Sequence, residues 1–453
     1  MTSVWRNWAG NEQARPVRVL HPADATEVAD AVRRAAADGH RVKAIGAGHS
    51  FSPVAVAPGV QLRLDRMAGL RSVDRDTGLV TVDAGMPLWR LNPLLAEHGL
   101  AMEILGDIDR QTVSGAISTG THGSGTRFGG IATQVRALEL VLADGSLVTC
   151  SPDERPELFA AARVGLGALG VITAVTLRCV PLFALHAHDA ALPVAETLDR
   201  IHELADTNDH FEFFWFPHST TTLTRRFRRQ PADVPLKPIG AVARRLDETV
   251  SGLGFEGLNR LGTRYPGLIP PITRFAARAM STREWSDLSY RIFASPRDVR
   301  FHEGEFAIPR EHAVDALREI KRWIDTHDAK VSFPLEVRFA ARDDIWLSTA
   351  NGRDTCYIAF HQYHRMPYAP YFEACESILG AYGGRPHWGK MHGLDAERLR
   401  PRYPHFDDFT ALRDTLDPTG VFANPYLDRV LGVGPGAKPV QSASGEDPSG
   451  FRR

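Results

Sequence analysis

Between residues 17 and 181, short apolar runs alternate with stretches of helical period. Val17–Leu20 reads as a strand. Asp24 and Glu27 form a D-x-x-E capping signal, and Val28, Ala31, Val32 and Ala35 recur on one helical face until Gly39 stops it. Val42–Ile45 reads as a second strand, and the turn Gly46-Ala47-Gly48-His49-Ser50 leaves its end, a common place for a ligand loop. Strands are expected at Leu62–Leu64 and Leu79–Val82, then a helix near Met86–His98 closed by Gly99. A second glycine-rich segment, Gly115–Gly125, reads as another loop. Val135–Leu142, the turn Asp144-Gly145 and Leu147–Cys150 predict a hairpin, and Gly165–Gly170 leads into a strand at Val171.

The texture changes after Val180-Pro181. Phe211–Phe216 is aromatic and strand-like, the arginine-rich run Arg225–Arg245 is broken by prolines and reads as a solvated loop, and Pro266–Pro271 is a breaker cluster. Val331–Phe339 and Tyr357–Tyr363 read as strands beside helical stretches, the pattern of an α+β domain with helices packed on one sheet. The pattern divides the chain into 1–181, 182–431 and a Gly/Pro/Ser-rich tail at 432–453, expected to be disordered.

Composition narrows the class of partner. The 453 residues are 43% hydrophobic and 24% charged, with net charge -1, so no overall basic excess argues for nucleic acid or an anionic membrane surface. A small molecule is the default ligand. Cys150, Cys179, Cys356 and Cys375 lack C-x-x-C spacing and read as buried free thiols. Without an apolar leader or a run near the ~20 apolar residues that span a bilayer, the expectation is a cytoplasmic protein with no membrane anchor.

Three sets of residues can carry chemistry. Gly46-Ala47-Gly48-His49-Ser50-Phe51 starts like a dinucleotide fingerprint but has Phe51 in place of the third glycine, and neither glycine-rich segment ends as a Walker A loop. What remains is two loops whose N–H groups and hydroxyls could hold a pyrophosphate between them. Strand alternation puts Glu336 and Arg338 on one face, where they could orient a polyol hydroxyl and stabilise its alkoxide, or form a structural ion pair. His361 and Tyr363 share the same geometry. His387-Trp388-Gly389-Lys390-Met391-His392 could lay an ammonium over an electron-rich ring or serve as ordinary surface. His387 and His392 lack a third ligand at zinc spacing, so no metal is expected.

These pieces, from Trp5-Arg6-Asn7-Trp8 to Leu431, resemble the vanillyl-alcohol oxidase family of flavoproteins and, within it, the aldonolactone oxidoreductases. The resemblance rests on Gly46–Ser50, Thr119–Gly125, Gly167–Ile172, Glu336-Val337-Arg338 and Arg385–Lys390. It implies an α+β, two-domain FAD-binding fold with a cap domain of antiparallel sheet covered by helices, and a last segment that returns to the flavin. His49 stands where many members bond an imidazole to the flavin, so covalent FAD is expected. Gly46, Ala47, Gly48, Ser50, Gly115, Ser118, Thr119, Thr121, His122, Ser124, Gly125, Val171, Ile172 and Lys390 would complete the cofactor site. Glu336, Arg338 and Lys390 would be catalytic, with His361, Tyr363 and His387 joining Glu336 and Arg338 on the substrate. The implied reaction is oxidation of a sugar 1,4-lactone at C2, with dioxygen or a cytochrome or dye taking the electrons. The alternatives are an alditol oxidase, disfavoured by Ala116 and by Gln362-Tyr363 after His361, and an inert flavin-binding scaffold.

Overall fold

The computed structural model describes residues 4–278, 280, 282–295 and 299–439, with backbone alone for 241–251. β1 (Arg18–Leu20), α1 (Ala25–Ala37), β2 (Val42–Ile45) and β3 (Val60–Arg63) build a parallel sheet in the order β1-β3-β2. The capping signal is realised: Asp24 accepts the Glu27 N–H at 2.9 Å, and Glu27 reaches back to the Ala23 N–H at 2.8 Å. Helix α1 buries Val28, Ala31, Val32 and Ala35 as its period requires. The strand expected at Leu62–Leu64 starts earlier, and Leu64 opens a 3₁₀ turn.

Next come β4 (Leu70–Asp74), β5 (Leu79–Asp83), α2 (Leu88–Glu97), α3 (Val113–Ser118), β6 (Val135–Val141), β7 (Leu147–Cys150) and β8 (Val171–Arg178). The five strands form an antiparallel sheet ordered β7-β6-β8-β5-β4, and the predicted hairpin pairs Val141 with Leu147. α2 begins at Leu88 because Pro87 stands as its N-cap. The second glycine-rich segment is not all loop. Thr112 caps α3 by accepting the Gly115 N–H at 3.2 Å, and Val113, Ala116 and Ile117 bury the helix despite its glycine.

The second half is organised by one eight-stranded antiparallel sheet. Its members are β9 (Phe183–Pro193), β10 (His210–Trp215), β11 (Thr221–Pro231), β12 (Arg283–Leu288), β13 (Phe301–Pro309), β14 (Leu335–Ala340), β15 (Thr355–Tyr363) and β16 (Arg385–Pro386), in the order β12-β9-β11-β10-β14-β15-β13-β16. Between them lie α4 (Ala241–Arg264), α5 (Ile269–Arg278), α6 (Ala313–Thr326) and α7 (Ala369–Ala381). Leu335, Val337 and Phe339 of β14 enter the same apolar core as Leu317, Ile320 and Ile324 of α6. Glu336 and Arg338 therefore face the other side.

Three expectations are corrected here. Arg225–Arg245 is a loop only over 232–240: its first part lies on β11 and its last part on α4, and Arg225 finds Asp189 and Glu212 on the two neighbouring strands. Such cross-strand partners are invisible to local pattern. Pro270 and Pro271 do not break a helix; they occupy the first turn of α5, where a missing N–H costs nothing. The strand expected from Val331 begins only at Leu335. All four cysteines are free and buried, as read from their spacing. Of the expected tail, 440–453 lies outside the described residues, while 432–439 forms no helix or strand and its Lys438 carbonyl accepts from Arg41 at 3.0 Å.

Candidate active site

The turn after β2 is shaped by close approaches. A Cβ at Gly46 would lie 2.6 Å from the Thr112 hydroxyl, so that glycine lets the cap of α3 close on the loop. Gly48 has φ +74°, a left-handed conformation, and a Cβ there would meet the Trp5 ring at 3.1 Å. Two segments distant in sequence pin the loop: Trp8 N–H donates to Gly48 O at 2.8 Å, Asn7 Nδ2 to Ser50 O at 2.9 Å, Phe51 N–H to Gly389 O at 2.7 Å, and Ser52 Oγ to Trp388 O at 2.7 Å. The imidazole of His49 stacks on Trp8 with centroids 5.9 Å apart. Burial, reinforced by the Arg110 guanidinium, holds His49 below its ordinary pKa, so the ring is neutral at pH 7 and keeps a nucleophilic lone pair.

A cavity of about 460 Å³ runs along this loop. Gly46, Ala47, Gly48, His49 and Ser50 line one side; Gly115, Ser118, Thr119, Val171 and Ile172 line the rest with Lys43, and Arg110 adds positive charge. Its size falls within the range of cofactor pockets, and bare backbone from two separate glycine segments suits a pyrophosphate. Lys43 donates to Leu166 O at 3.0 Å and Gly167 O at 3.3 Å, and burial pulls its pKa down to about 7 against the pull of Asp417. The residues fit a dinucleotide such as FAD.

A smaller cavity of about 70 Å³ shares His49, Ser50, Gln111 and Thr119 with the first. Gln111 Oε1 is buried without a partner among the described residues, an acceptor left for a ligand at the junction. Further in, the wall is charged: Glu303, Glu305, Arg338 and Lys390, with His122 and His387. Register explains their meeting. Glu336 pairs with Ala359 and Arg338 with Tyr357 on β15, whose His361 and Ala359 in turn lie opposite Glu303 and Glu305 of β13. All project from one face of the sheet.

Arg338 donates from Nε to Glu212 at 3.0 Å, pairs with Glu336, and lies 3.7 Å from Asp107. Burial lowers its pKa, but Glu336, Glu212 and Asp107 outweigh that and raise it, so it is a permanent cation. Arg225 continues the alternation, 2.9 Å from Glu212 and 3.3 Å from Asp189. Lys390 pairs with Glu303, whose carboxylate also lies 3.3 Å from His361 Nε2. His122 Nε2 is 3.2 Å from Glu305. Burial pushes the Glu305 carboxyl up, yet the charge and hydrogen bond of His122 prevail and hold it below the usual carboxylate range. His387 is pushed down to about 4 by burial and accepts the Gly389 N–H at Nδ1 at 3.0 Å, so it is neutral with its proton on Nε2. Ligand atoms of His122, Glu305 and His387 gather within 4.8 Å of one another.

Of the residues singled out by sequence, Thr121, His122, Arg338, His387 and Lys390 thus come together with His49 at the smaller cavity. Ser124 and Gly125 line neither cavity. They tie the loop to β14 and its neighbour, Ser124 Oγ accepting the Phe339 N–H at 3.1 Å and Gly125 N–H donating to Phe339 O at 2.7 Å. Tyr363 also stays outside, its hydroxyl 2.7 Å from Glu256. Glu336 and His361 stand behind Arg338 and Glu303 without lining the cavity. Sequence reasoning missed Trp8, Asp107, Gln111, Glu212, Glu303 and Glu305. The run Phe301-His302-Glu303-Gly304-Glu305-Phe306 did carry a signal: two acids with period two inside an apolar strand need buried partners.

A dinucleotide-sized cavity between a parallel and an antiparallel sheet, adjoined by a smaller cavity on the polar face of a larger antiparallel sheet, is the two-domain FAD-binding fold of the vanillyl-alcohol oxidase type. A solved solvent-stable cholesterol oxidase shares this fold with a TM-score of 0.79 at 19% identity, over 95% of this chain and 98% of that one. Residues 16–151 match the model of an FAD binding domain and residues 175–430 that of D-arabinono-1,4-lactone oxidase. The chain belongs to the D-arabinono-1,4-lactone oxidase family and is an FAD-dependent oxidoreductase acting on CH–OH groups. It is 44% identical to L-gulono-1,4-lactone dehydrogenase of Mycobacterium tuberculosis, over 95% of this chain and 100% of the relative. It is 36% identical to L-gulonolactone oxidase of Bos taurus, over 94% and 98%, and 34% identical to alditol oxidase of a Streptomyces species, over 95% and 100%. Among the described residues no helix is long and apolar enough to cross a membrane.

Proposed function

We propose that this chain oxidises the C2 hydroxyl of a sugar-derived 1,4-lactone (gulono-, galactono- or arabinono-1,4-lactone), with FAD attached covalently to His49. The product is a 2-keto-lactone whose enediol tautomer is ascorbate or a homologue. The observation that carries the reading is the pair of cations, Arg338 and Lys390, in the wall of a cavity that shares His49 with the larger one. The lactone comes from the names of the relatives. Residues 1–181 hold the cofactor in this reading, and 182–431 supply the substrate face and the segment that closes the loop.

When bound, FAD supplies the acceptor for the hydride leaving C2. The chain does the rest. Arg338, made a permanent cation by its carboxylates, stabilises negative charge as it grows on the substrate oxygen, and Glu336 holds the guanidinium in place. Lys390 keeps its proton, because Glu303 and Glu305 outweigh its burial and raise its pKa. Glu303, a cavity-wall carboxylate between Lys390 and His361, takes the hydroxyl proton. Ala116 is fully buried in the core and lines neither cavity, so it does not separate a lactone from an open-chain polyol.

The test is anaerobic mixing with the three lactones and with xylitol, followed by reoxidation with dioxygen or with cytochrome c. Bleaching of the flavin by a lactone at a rate at least about tenfold above that with xylitol supports the reading. Faster bleaching by xylitol assigns an alditol oxidase, and a flavin that stays yellow with all four leaves only a scaffold. The reoxidation arm identifies the electron acceptor.

A further inference from the structure

The hairpin of α4 and α5 buries apolar residues, Ile269 and Ala277 among them, beside polar ones. Its inward positions include Asn259 and Thr273, 3% and 4% exposed. With Thr263 they donate to carbonyls of their own helices, Asn259 to Phe255 O, Thr263 to Asn259 O and Thr273 to Ile269 O, each at 2.8 Å, while Asn259 Oδ1 is buried without a partner among the described residues. Large apolar side chains also face outward. Leu253, Leu258 and Leu261 fall within one arc of about 140° on α4, and Tyr265 and Leu268 extend it through the turn. Phe275 on α5 is 75% exposed and Leu253 71%. Six of the large exposed apolar side chains thus lie within 253–275.

Charge says what covers them. Over 252–278 the chain carries Arg260, Arg264, Arg274 and Arg278, all exposed, against the single carboxylate Glu256, which is already bound by Arg260 and by Tyr363 at 2.7 Å each. The whole chain is nearly neutral, so this excess is local. A second copy docked face to face would set arginine against arginine. We infer that this hairpin docks the protein onto the surface of an anionic lipid bilayer, its leucines and Phe275 entering the boundary between headgroups and acyl chains while the guanidinium groups pair with lipid phosphates. The hairpin lies in the interface and does not span it.

The experiment is co-sedimentation of the flavin-loaded full chain with vesicles of phosphatidylcholine alone, or with about a third phosphatidylglycerol. Binding to the anionic vesicles, falling at least about fivefold at high salt, is expected. The double variant Leu261→Glu, Phe275→Glu lowers the bound fraction about tenfold or more, and bleaching of its flavin by lactone is unchanged. Absence of binding to either vesicle, equal binding to both, or undiminished binding of the double variant overturns the inference. So does a concentration-dependent dimer that the double variant dissolves, because the hairpin then serves a second copy.

Discussion

Replacing Arg338 by alanine removes the cation shared by Glu336, Glu212 at 3.0 Å and Asp107 at 3.7 Å. Two losses follow, and they are separable. In catalysis, a charged donor to the forming alkoxide disappears, and turnover falls by about 10²–10³, or about 2.7–4 kcal/mol in the barrier. In folding, buried carboxylates lose their counter-charge, at about 3–5 kcal/mol. That is a large share of the roughly 5–15 kcal/mol that holds a typical domain together. The stranded carboxylates then have raised pKa values, so the variant's deficit shrinks as pH is lowered and grows as pH rises. Arg338→Lys keeps the charge but not the fork that spans Glu336 and Glu212, so it retains most of the stability and loses about tenfold in rate. Stopped-flow bleaching of the flavin under anaerobic conditions reads the first loss, and thermal unfolding between pH 5 and 8 the second. An alanine variant that is bleached within about threefold of the native rate would remove Arg338 from the chemistry. One that unfolds at the native temperature would show that the carboxylates need no counter-charge.

Four shorter predictions follow, three of them from the same site. His49→Ala binds FAD reversibly, so acid precipitation releases all the yellow colour, whereas the native protein keeps it in the pellet. Gly48→Ala forces a side chain into φ +74° against Trp5 and costs about 1–2 kcal/mol in thermal unfolding while slowing attachment of the flavin. Glu303→Gln slows bleaching about 10²-fold or more and flattens the acid limb of the rate–pH profile. Finally, burial holds His387 and His302 down to about 4 and His210 to about 3, all below the unfolded value of about 6.5. The unfolded chain therefore binds more protons between about pH 6.5 and pH 4, and stability falls as pH drops through that window, by up to about 4 kcal/mol per pH unit. Chemical denaturation at a series of pH values measures the slope, and a flat profile would contradict it.

Local pattern was enough for much of the first half. A capped helix buries Val28 and Val32, a hairpin turns at Asp144-Gly145, and a glycine turn leaves Ile45, because each depends on neighbours a few residues away. Alternation likewise placed Glu336 and Arg338 on one face before any partner was visible. The same locality misread β11 as a loop, since Arg225 is explained only by Asp189 and Glu212 on flanking strands. It included Tyr363 and left out Glu303 and Glu305, because one strand reveals which side chains share a face but not what that face meets.

What the sequence by itself determined is the set of elements, the two glycine segments and the family they resemble. Only the tertiary structure decided which charges share a cavity. Strand pairing across the eight-stranded sheet brings residues 212, 303, 305 and 338 to one place, two loops add 107 and 390, and no local period encodes contacts separated by so much chain. Buried charges are stable only when paired, so the register that pairs them is the same register that builds the site.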